Sequence, residues 1–367
     1  MSKVYRAEVI GSLLRPAYLM EARKAWEAGQ LSAARFKAVE DRSVEEALRM
    51  QEAAGIDAVT DGEMRRMIFL GPLMDMGEGV ASDSSETFHW KRKEGGTESE
   101  LHWPNPYSIV GKVRRKRSLT TEEYVYARGR TDKVVKVTLP SPLLLTLAWS
   151  PKLSRAAYPD PFSLFWDATD VLRQEIRDLA AMGCEYIQID APEYAECIGD
   201  SIMSRQFAER GVTLDRMLNE GVAILNALAD CPGVTFGLHT CRGNLSGHWL
   251  AEGGYEEISR QLFKRATAYD IFLLEYDDWR SGSFEPLRDI PPDKQVVLGL
   301  VSTKFGAMES ADDLVRRIDE AGQFFPREKL AISPQCGFAS AANGNPISEA
   351  TQEAKLRLVG EVARRAW

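Results

Sequence analysis

Eight short runs rich in aliphatic and β-branched residues alternate along this chain with longer stretches whose apolar residues recur at helical spacing. The candidate strands are YRAEVIG, DAVTDG, VVKVTLP, YIQIDAP, VTFGLHT, IFLLEYD, VVLGLVST and LAISPQCG. The helical stretches cover residues 36–54, 164–182, 214–229, 255–265, 311–321 and 348–366. Strands that alternate with helices form a parallel sheet, because each helix returns the chain to the start of the next strand. The pattern favours an α/β fold of the (β/α)8 TIM barrel type, with an open doubly wound sheet as the alternative.

The alternation extends over most of the chain, so residues 1–367 are expected to form a single barrel domain. Residues 80–133 interrupt it, because they carry Trp, Tyr, Lys and Arg without a helical period. We interpret this segment as a β-rich insertion, either a hairpin or a loop excursion. Its basic run VRRKR is more typical of a solvated strand edge than of a ligand site.

Charge and composition exclude several classes of partner. The net charge is −8, from 46 basic and 54 acidic residues that are scattered along the chain, so no basic stripe is present to bind nucleic acid. No apolar run approaches the roughly 18 residues of a membrane span, and the beginning MSKVYRAEVIG does not resemble a secretory signal. A cytoplasmic protein is therefore expected. In that reducing compartment its five cysteines suit catalysis or metal binding better than disulfides.

Ten polar residues fall at or just beyond the C-terminal ends of the eight candidate strands. They are Ser12, Asp61, Glu63, Asp190, His239, Cys241, Glu275, Ser302, Lys304 and Cys336. Any one of them alone is explained as an ordinary loop residue. In a (β/α)8 barrel, however, the C-terminal ends of the strands form the catalytic face. Ten such residues on one rim therefore indicate an enzyme that acts on small molecules.

The sequence HTC places a histidine and a cysteine two positions apart at the end of one candidate strand. Alternate side chains of a strand point to the same face, so His239 and Cys241 can share one ligand. Together with Glu275 and Cys336 they would supply the nitrogen, sulfur and oxygen ligands of a tetrahedral Zn²⁺ site. The alternative is a core histidine beside a buried cysteine, and the spacing leaves both interpretations open.

Six motifs occur in an order that resembles the catalytic barrel of cobalamin-independent methionine synthase, and more closely its short single-barrel bacterial relatives. The motifs are GSLLRP, DAVTDGEMRR, IQIDAP, HTCRGN, LLEYDD and SPQCGFAS. The resemblance extends from Val4 to the C-terminal helical stretch. It implies a (β/α)8 fold and one zinc ion per chain, held by residues matching the family's ligands. Those residues are His239, Cys241, Glu275 and Cys336.

The resemblance also implies an activity: zinc-dependent transfer of a methyl group to the thiol of homocysteine, which forms methionine. The enzyme would be similar to 5-methyltetrahydropteroyltriglutamate–homocysteine S-methyltransferase. Ser12, Glu63 and Asp190 match the family residues that hold homocysteine, and two carboxylates suit its ammonium group. Asp61 and Glu63 also fit a pair that caps the turn after a strand. The resemblance favours the substrate role for Glu63 and leaves the role of Asp61 open.

The sequence departs from the full-length synthases on the methyl-donor side. Their DIHS motif is replaced by VSTKF, which puts Lys304 where the family has a histidine proton donor, and IDEPA is replaced by IDAPE. We predict that Lys304 protonates the leaving group, with a surface lysine as the alternative. Trp149 is predicted to stack on a flat donor ring, with helix packing as the alternative. The donor is methyltetrahydrofolate or another methyl compound.

Two other functions stay open at this point. One is an epoxyalkane:coenzyme M transferase type of thiol alkylation, in which Lys304, Arg65 or Arg66 would pair with a sulfonate or a developing alkoxide. The other is a metal-binding barrel without catalytic activity, which requires the carboxylates on the rim to be incidental. In both enzyme hypotheses the partners are a small thiol acceptor and an alkyl donor.

Overall fold

The computed structural model describes residues 4–82, 87–94, 97–104, 107–199 and 201–367. Eleven strands are present in these ranges. In chain order they are β1 (Ala58–Val59), β2 (Gly77–Ala81), β3 (Thr87–Glu94), β4 (Thr97–Pro104), β5 (Ser108–Arg115), β6 (Val134–Pro140), β7 (Tyr186–Asp190), β8 (Thr235–Thr240), β9 (Ile271–Glu275), β10 (Gln295–Val301) and β11 (Leu330–Pro334).

Seven of these strands form one parallel sheet in the order β1-β6-β7-β8-β9-β10-β11. A segment near the N-terminus lies between the two edges of this sheet. Ala7 forms a parallel bridge with Ile332 of β11, and Glu8 forms one with Ala58 of β1. The backbone N–H of Glu8 donates to the carbonyl of Ile332 at 3.0 Å. The segment therefore takes the eighth strand position, which confirms the predicted (β/α)8 barrel with all eight candidate strands in place.

Twelve α-helices are found in the described residues, besides short 3₁₀ segments. They are α1 (Ala17–Glu27), α2 (Ala33–Ala54), α3 (Gly71–Met74), α4 (Thr121–Arg128), α5 (Pro161–Ala181), α6 (Glu193–Glu196), α7 (Ile202–Glu209), α8 (Leu214–Arg216), α9 (Val222–Leu228), α10 (Ser259–Arg265), α11 (Ala311–Ala321) and α12 (Glu349–Ala366). A π-helical turn, Met217–Gly221, joins α8 to α9, so the predicted helix 214–229 is wider in its middle. The sequence analysis did not predict α1, α3, α4, α6 and α7.

The local sequence determines where α2 begins and ends. The Ser32 side chain accepts a hydrogen bond from the backbone N–H of Arg35 and caps the first turn. Gly55 follows the last turn with a φ of 84°, a left-handed conformation that glycine adopts without steric cost. The chain then enters β1 directly, so the helix end sets the start of the strand.

The predicted insertion is β-rich, as expected. β2 pairs antiparallel with β5, and β3 pairs antiparallel with β4. Residues 83–86, 95–96 and 105–106 of the insertion lie outside the described residues. All three arginines of the basic run are ion-paired: Arg114 contacts Glu78 at 4.0 Å, Arg115 contacts Asp178 at 2.7 Å, and Arg117 contacts Asp75 at 2.6 Å. That residues 1–367 form one domain stays a prediction.

The barrel interior holds a small apolar cluster and one buried ion pair. The cluster consists of side chains from the strands, namely Tyr5, Ile10, Ala58, Tyr186, Ile271, Leu273, Val297 and Ala331. The Nζ of Lys136 lies 3.0 Å from Glu8 Oε2, and the Tyr186 hydroxyl donates to the same oxygen at 2.9 Å. A larger apolar core fills the space between the strands and the helices. A bilayer-spanning helix needs about 20 apolar residues, and the described part of the chain contains none of this kind.

Candidate active site

Three buried side chains come together at the C-terminal ends of β8 and β11. The Nε2 or Nδ1 of His239 and the sulfurs of Cys241 and Cys336 all lie within 4.8 Å of one another. The two sulfurs are 3.7 Å apart, far beyond the bond length of about 2.05 Å of a disulfide, and both thiols are free. His239 is in β8 and Cys241 is the first residue after it, so the alternation of the strand turns both toward Cys336.

The imidazole of His239 has one nitrogen engaged and one free. Its Nδ1 lies 3.0 Å from the carbonyl oxygen of Leu273, which only accepts hydrogen bonds, so Nδ1 carries the proton. The buried Nε2 has no hydrogen-bond partner within the described residues. Metal-binding histidines are usually arranged in this way: one ring nitrogen donates to a backbone carbonyl, and the other has its lone pair available for the metal. With two sulfurs beside it, the donor set suits Zn²⁺.

The two thiols of the cluster have pKa values shifted in opposite directions. The hydrogen bond from Cys241 holds the pKa of Cys336 well below its ordinary value, against burial and with help from His239 and Lys304. The same hydrogen bond, together with burial, raises the pKa of Cys241 well above the ordinary value.

Glu275, the predicted fourth ligand, lies at the end of β9 with both carboxylate oxygens already bonded. Its Oε1 is 2.9 Å from Lys304 Nζ and 3.3 Å from Arg280 Nη2. Its Oε2 accepts from the backbone N–H of Arg242 at 2.5 Å. Burial raises the pKa of Glu275, but the surrounding cations outweigh burial and hold it well below the ordinary value. The cluster of possible metal ligands found in the described residues does not include Glu275.

Lys304 follows β10 and is fully buried. Besides Glu275, its ammonium group faces Asp277 Oδ2 at 3.8 Å. Burial lowers the pKa of Lys304, yet these two carboxylates raise it above the ordinary value, so the ammonium group stays charged. Lys304 is not among the described residues that line the cavity next to the cysteines.

That cavity encloses about 1030 Å³ of space, part of it open to solvent. The His239–Cys241–Cys336 cluster lines it together with polar side chains, among them the hydroxyl of Ser12 and the three carboxyl groups of Glu63, Asp190 and Glu196. The remaining wall is mostly apolar and includes Phe69, Tyr107, Leu144, Leu147, Met203 and Leu250. The structure thus brings the predicted acceptor-binding residues and three of the four predicted metal ligands into one space.

Glu63 adopts a left-handed backbone conformation, with a φ of 54°, which is uncommon for a residue with a side chain. Its N–H donates to Asp61 Oδ1 at 2.9 Å, so Asp61 caps the turn. Its Oε1 accepts from Thr138 Oγ1 at 2.7 Å, and its buried Oε2 has no hydrogen-bond partner within the described residues. A Cβ at Gly11 would lie 2.8 Å from Glu63 Oε1. The turn and the glycine together place an unpaired carboxylate oxygen at the cavity.

Asp190 ends β7 and accepts a hydrogen bond from Gln188 Nε2 at 2.6 Å. Burial raises its pKa to about 7, although the nearby His239 opposes the rise. Ser12 lies on the same wall, where Gly337 makes room for it: a Cβ at that glycine would be 2.1 Å from Ser12 Oγ. Each of these side chains therefore has the space and the contacts that hold it at the cavity.

Glu196 is a cavity residue that the sequence analysis missed. It lies in α6, is 4% exposed, and its carboxyl group makes no hydrogen bond within the described residues. Burial raises its pKa well above the ordinary value, and its neighbours Glu193, Cys336 and Glu275 add to the rise. The only sequence signal is the pair of glutamates three residues apart after Asp190, and the pattern does not show which of them faces the cavity.

Three other predicted residues lie outside the lining. Trp149 is buried, and its Nε1 donates to the carbonyl of Tyr158 at 3.0 Å, as a packing residue would. Arg65 pairs with Asp41 at 2.5 Å, and Arg66 pairs with Glu123 at 2.7 Å. Both arginines are therefore engaged by carboxylates of the protein.

Comparisons with known proteins identify the family of this chain. Residues 6–364 match the family model described as "Cobalamin-independent synthase, Catalytic domain". The uncharacterized protein YxjG of Bacillus subtilis (strain 168) is 34% identical over 371 residues, covering 99% of this chain and 95% of that protein. The methionine synthase of Pyrococcus abyssi is 28% identical, covering 90% of this chain and 85% of that protein.

A solved structure shows the same fold. It is the B12-independent methionine synthase of Shewanella sp. W3-18-1, determined in complex with selenomethionine. It is 21% identical in sequence, covers 99% of this chain and 98% of its own, and superposes with a TM-score of 0.74. The match of the family model over nearly the whole chain confirms the resemblance drawn from the six motifs. This chain belongs to the cobalamin-independent methionine synthase family, of which it matches the catalytic domain.

Proposed function

We propose that this protein is a zinc-dependent homocysteine S-methyltransferase that forms methionine. The observation that carries the proposal is the shared cavity, in which the His239–Cys241–Cys336 cluster faces buried carboxylates that suit an amino acid. The family to which the chain belongs supports a transferase of this kind.

One zinc ion per chain would be held by His239, Cys241 and Cys336. A zinc ion bound there would ionise a substrate thiol at neutral pH and keep the sulfur nucleophilic. Glu275 is expected from the resemblance as a fourth ligand. Its oxygens are bonded to Lys304, Arg280 and Arg242, so we propose that it acts from beside the cluster.

The acceptor site is built from groups of this chain alone. Glu63 and Asp190 bind the ammonium group of homocysteine, and the unpaired Glu63 Oε2 has one hydrogen-bond position free for it. The Ser12 hydroxyl lies on the same wall and can bond to the carboxylate of the amino acid. Selenomethionine in the Shewanella relative supports an amino-acid ligand of this size.

The epoxyalkane:coenzyme M transferase alternative is less well supported. A thiol with a sulfonate group needs a cation near it, and no Lys or Arg side chain is among the described residues that line the cavity. Arg65 is paired with Asp41, and Lys304 is paired with Glu275. Arg66 is paired with Glu123 and lies 3.6 Å from Glu63 Oε1, but it is not among the described residues of the lining. A barrel that only binds metal would not need three carboxyl groups next to the cluster.

A calorimetric titration of the zinc-loaded protein with homocysteine and, separately, with coenzyme M tests the choice of acceptor. Homocysteine is expected to bind and coenzyme M to bind at least about 10-fold more weakly, because the cavity is lined with acidic and not basic groups. Stronger binding of coenzyme M would support the alternative. Absence of binding by both thiols would contradict an enzyme of either type.

The substitution Asp190→Asn tests the ammonium contact. We expect it to weaken homocysteine binding by about 10- to 100-fold, because it removes the charge from one of two charge-assisted contacts. The zinc content should not change. The matched control ligand is 4-mercaptobutyrate, which lacks only the amino group; an equal loss of affinity for both thiols would show that the effect is structural.

A further inference from the structure

The charged groups that line the cavity limit which methyl donor can bind, as well as favouring homocysteine as the acceptor. Three carboxyl groups, those of Glu63, Asp190 and Glu196, line it, and the described lining contains no Lys or Arg. The proposed function uses Glu63 and Asp190 for the ammonium group of homocysteine. Glu196 is left without a partner in the protein or in the acceptor.

Glu196 lies in surroundings that favour a positively charged ligand. It is almost fully buried. The neighbouring groups that raise its pKa electrostatically are Glu193, Cys336 and Glu275, and all three are acidic. A carboxyl group that lines a cavity without a hydrogen bond from the protein is open to a ligand that supplies a partner. The unpaired Oε2 of Glu63 is a second such group on the same cavity.

The apolar part of the wall limits what that cation can be. Phe69, Tyr107, Leu144, Leu147 and Met203 offer no hydrogen bonds to a pterin ring apart from the hydroxyl of Tyr107. A polyglutamyl tail would bring several negative charges to a cavity that already carries acidic groups. A small cation that carries methyl groups suits this wall, because aliphatic side chains pack against methyl groups and aromatic faces attract cations.

We propose that the methyl donor is a methylsulfonium compound, bound with its positive sulfur next to Glu196. This inference rests on the proposed function. The ionised sulfur of homocysteine, whose proton has gone to solvent, forms a bond to the methyl carbon. The bond from that carbon to the sulfonium sulfur breaks, and its electron pair stays on the departing sulfur, which leaves as a neutral thioether.

A reaction that needs no proton donor is consistent with the position of Lys304. A folate donor needs a proton on its leaving nitrogen, whereas a thioether leaves without one. Lys304, predicted to be the proton donor, is bonded to Glu275 and is outside the cavity lining. A sulfonium donor therefore requires only groups that the cavity presents.

The direct test uses the zinc-loaded full chain with homocysteine and one of two donors, trimethylsulfonium or 5-methyltetrahydrofolate triglutamate. We expect methionine from trimethylsulfonium, with one dimethyl sulfide released per methionine, at a rate more than about 10-fold above that with the folate. Methionine from the folate alone would overturn the donor inference and uphold the proposed function. Lack of product from both donors, with homocysteine bound, would also overturn the inference. Failure to bind homocysteine would instead contradict the proposed function.

A matched pair of variants tests the position of the donor. Glu196→Gln should raise the KM for trimethylsulfonium about 10- to 100-fold and leave zinc content and homocysteine binding unchanged. Glu193→Gln is the control, because Glu193 lies in the same short helix, accepts from Ser141 Oγ at 2.6 Å and is outside the described lining. The inference fails if Glu196→Gln leaves the KM unchanged, or if Glu193→Gln raises it equally.

Discussion

Replacing Cys241 or Cys336 with serine is expected to remove zinc and methyl transfer together. A serine hydroxyl stays protonated at neutral pH, so it does not replace a thiolate as a zinc ligand. The loss leaves His239 and one sulfur, and we expect turnover to fall by about 1,000-fold or more. Metal analysis of the purified variants, which should drop from about one zinc per chain to a small fraction, gives a readout that does not depend on activity.

The chain offers a matched control for these substitutions. Cys231 is a free cysteine that is half-buried and is not part of the cluster. Cys231→Ser should retain both zinc and activity, which separates metal binding from a general effect of losing a thiol. Full activity in a preparation stripped of zinc would contradict the proposed metal site.

The eight barrel strands were predictable because each is a local apolar run with its own turn signals. The helices that the sequence analysis missed are mostly short; α4 and α7, for example, have eight residues each. Helices of this length are marginal on their own and depend on tertiary packing, which no local period shows. The segment at Ala7 and Glu8 was predicted as a full strand but forms only single bridges to its two neighbours.

Site residues could be located from the sequence where they lie at the C-terminal ends of predicted strands. In a parallel barrel all C-terminal ends meet on one face, so His239, Cys241 and Cys336 were expected to meet although 95 residues separate the two cysteines. The position of Glu196 depends on how the short helix α6 is oriented, and that is a matter of packing. The bond between Glu275 and Lys304 follows from the adjacency of β9 and β10, which the linear pattern does not give.

The substitution Lys304→Met should affect stability and metal binding more than proton transfer. It removes the closest cation from Glu275 and, after Arg280, the second-closest cation from Asp277; the side chains of both carboxylates are fully buried. Breaking a buried ion pair from one side leaves uncompensated charge, so we expect the free energy of unfolding to fall by about 3 kcal/mol. Zinc affinity should fall by about 100-fold, because groups that orient the residues around a metal have effects of this size. Denaturant unfolding and competition with a chelator measure the two quantities.

Two further variants separate this positioning role from the proton donation expected from the sequence. Lys355→Met breaks the ion pair of another fully buried lysine, in which Lys355 Nζ lies 2.9 Å from Glu309 Oε2, so it should lower stability and leave zinc affinity unchanged. In the double variant Lys304→Met/Glu275→Gln one of the two carboxylates that faced Lys304 is neutralised as well, and part of the lost stability should return. A proton donor predicts a different result: unchanged stability and zinc affinity in Lys304→Met, with a loss of turnover only for donors whose leaving group needs a proton. The contacts of Lys304 with Glu275 and Asp277 favour the first outcome, since its ammonium group is already bonded to carboxylates of the protein and does not face the cavity.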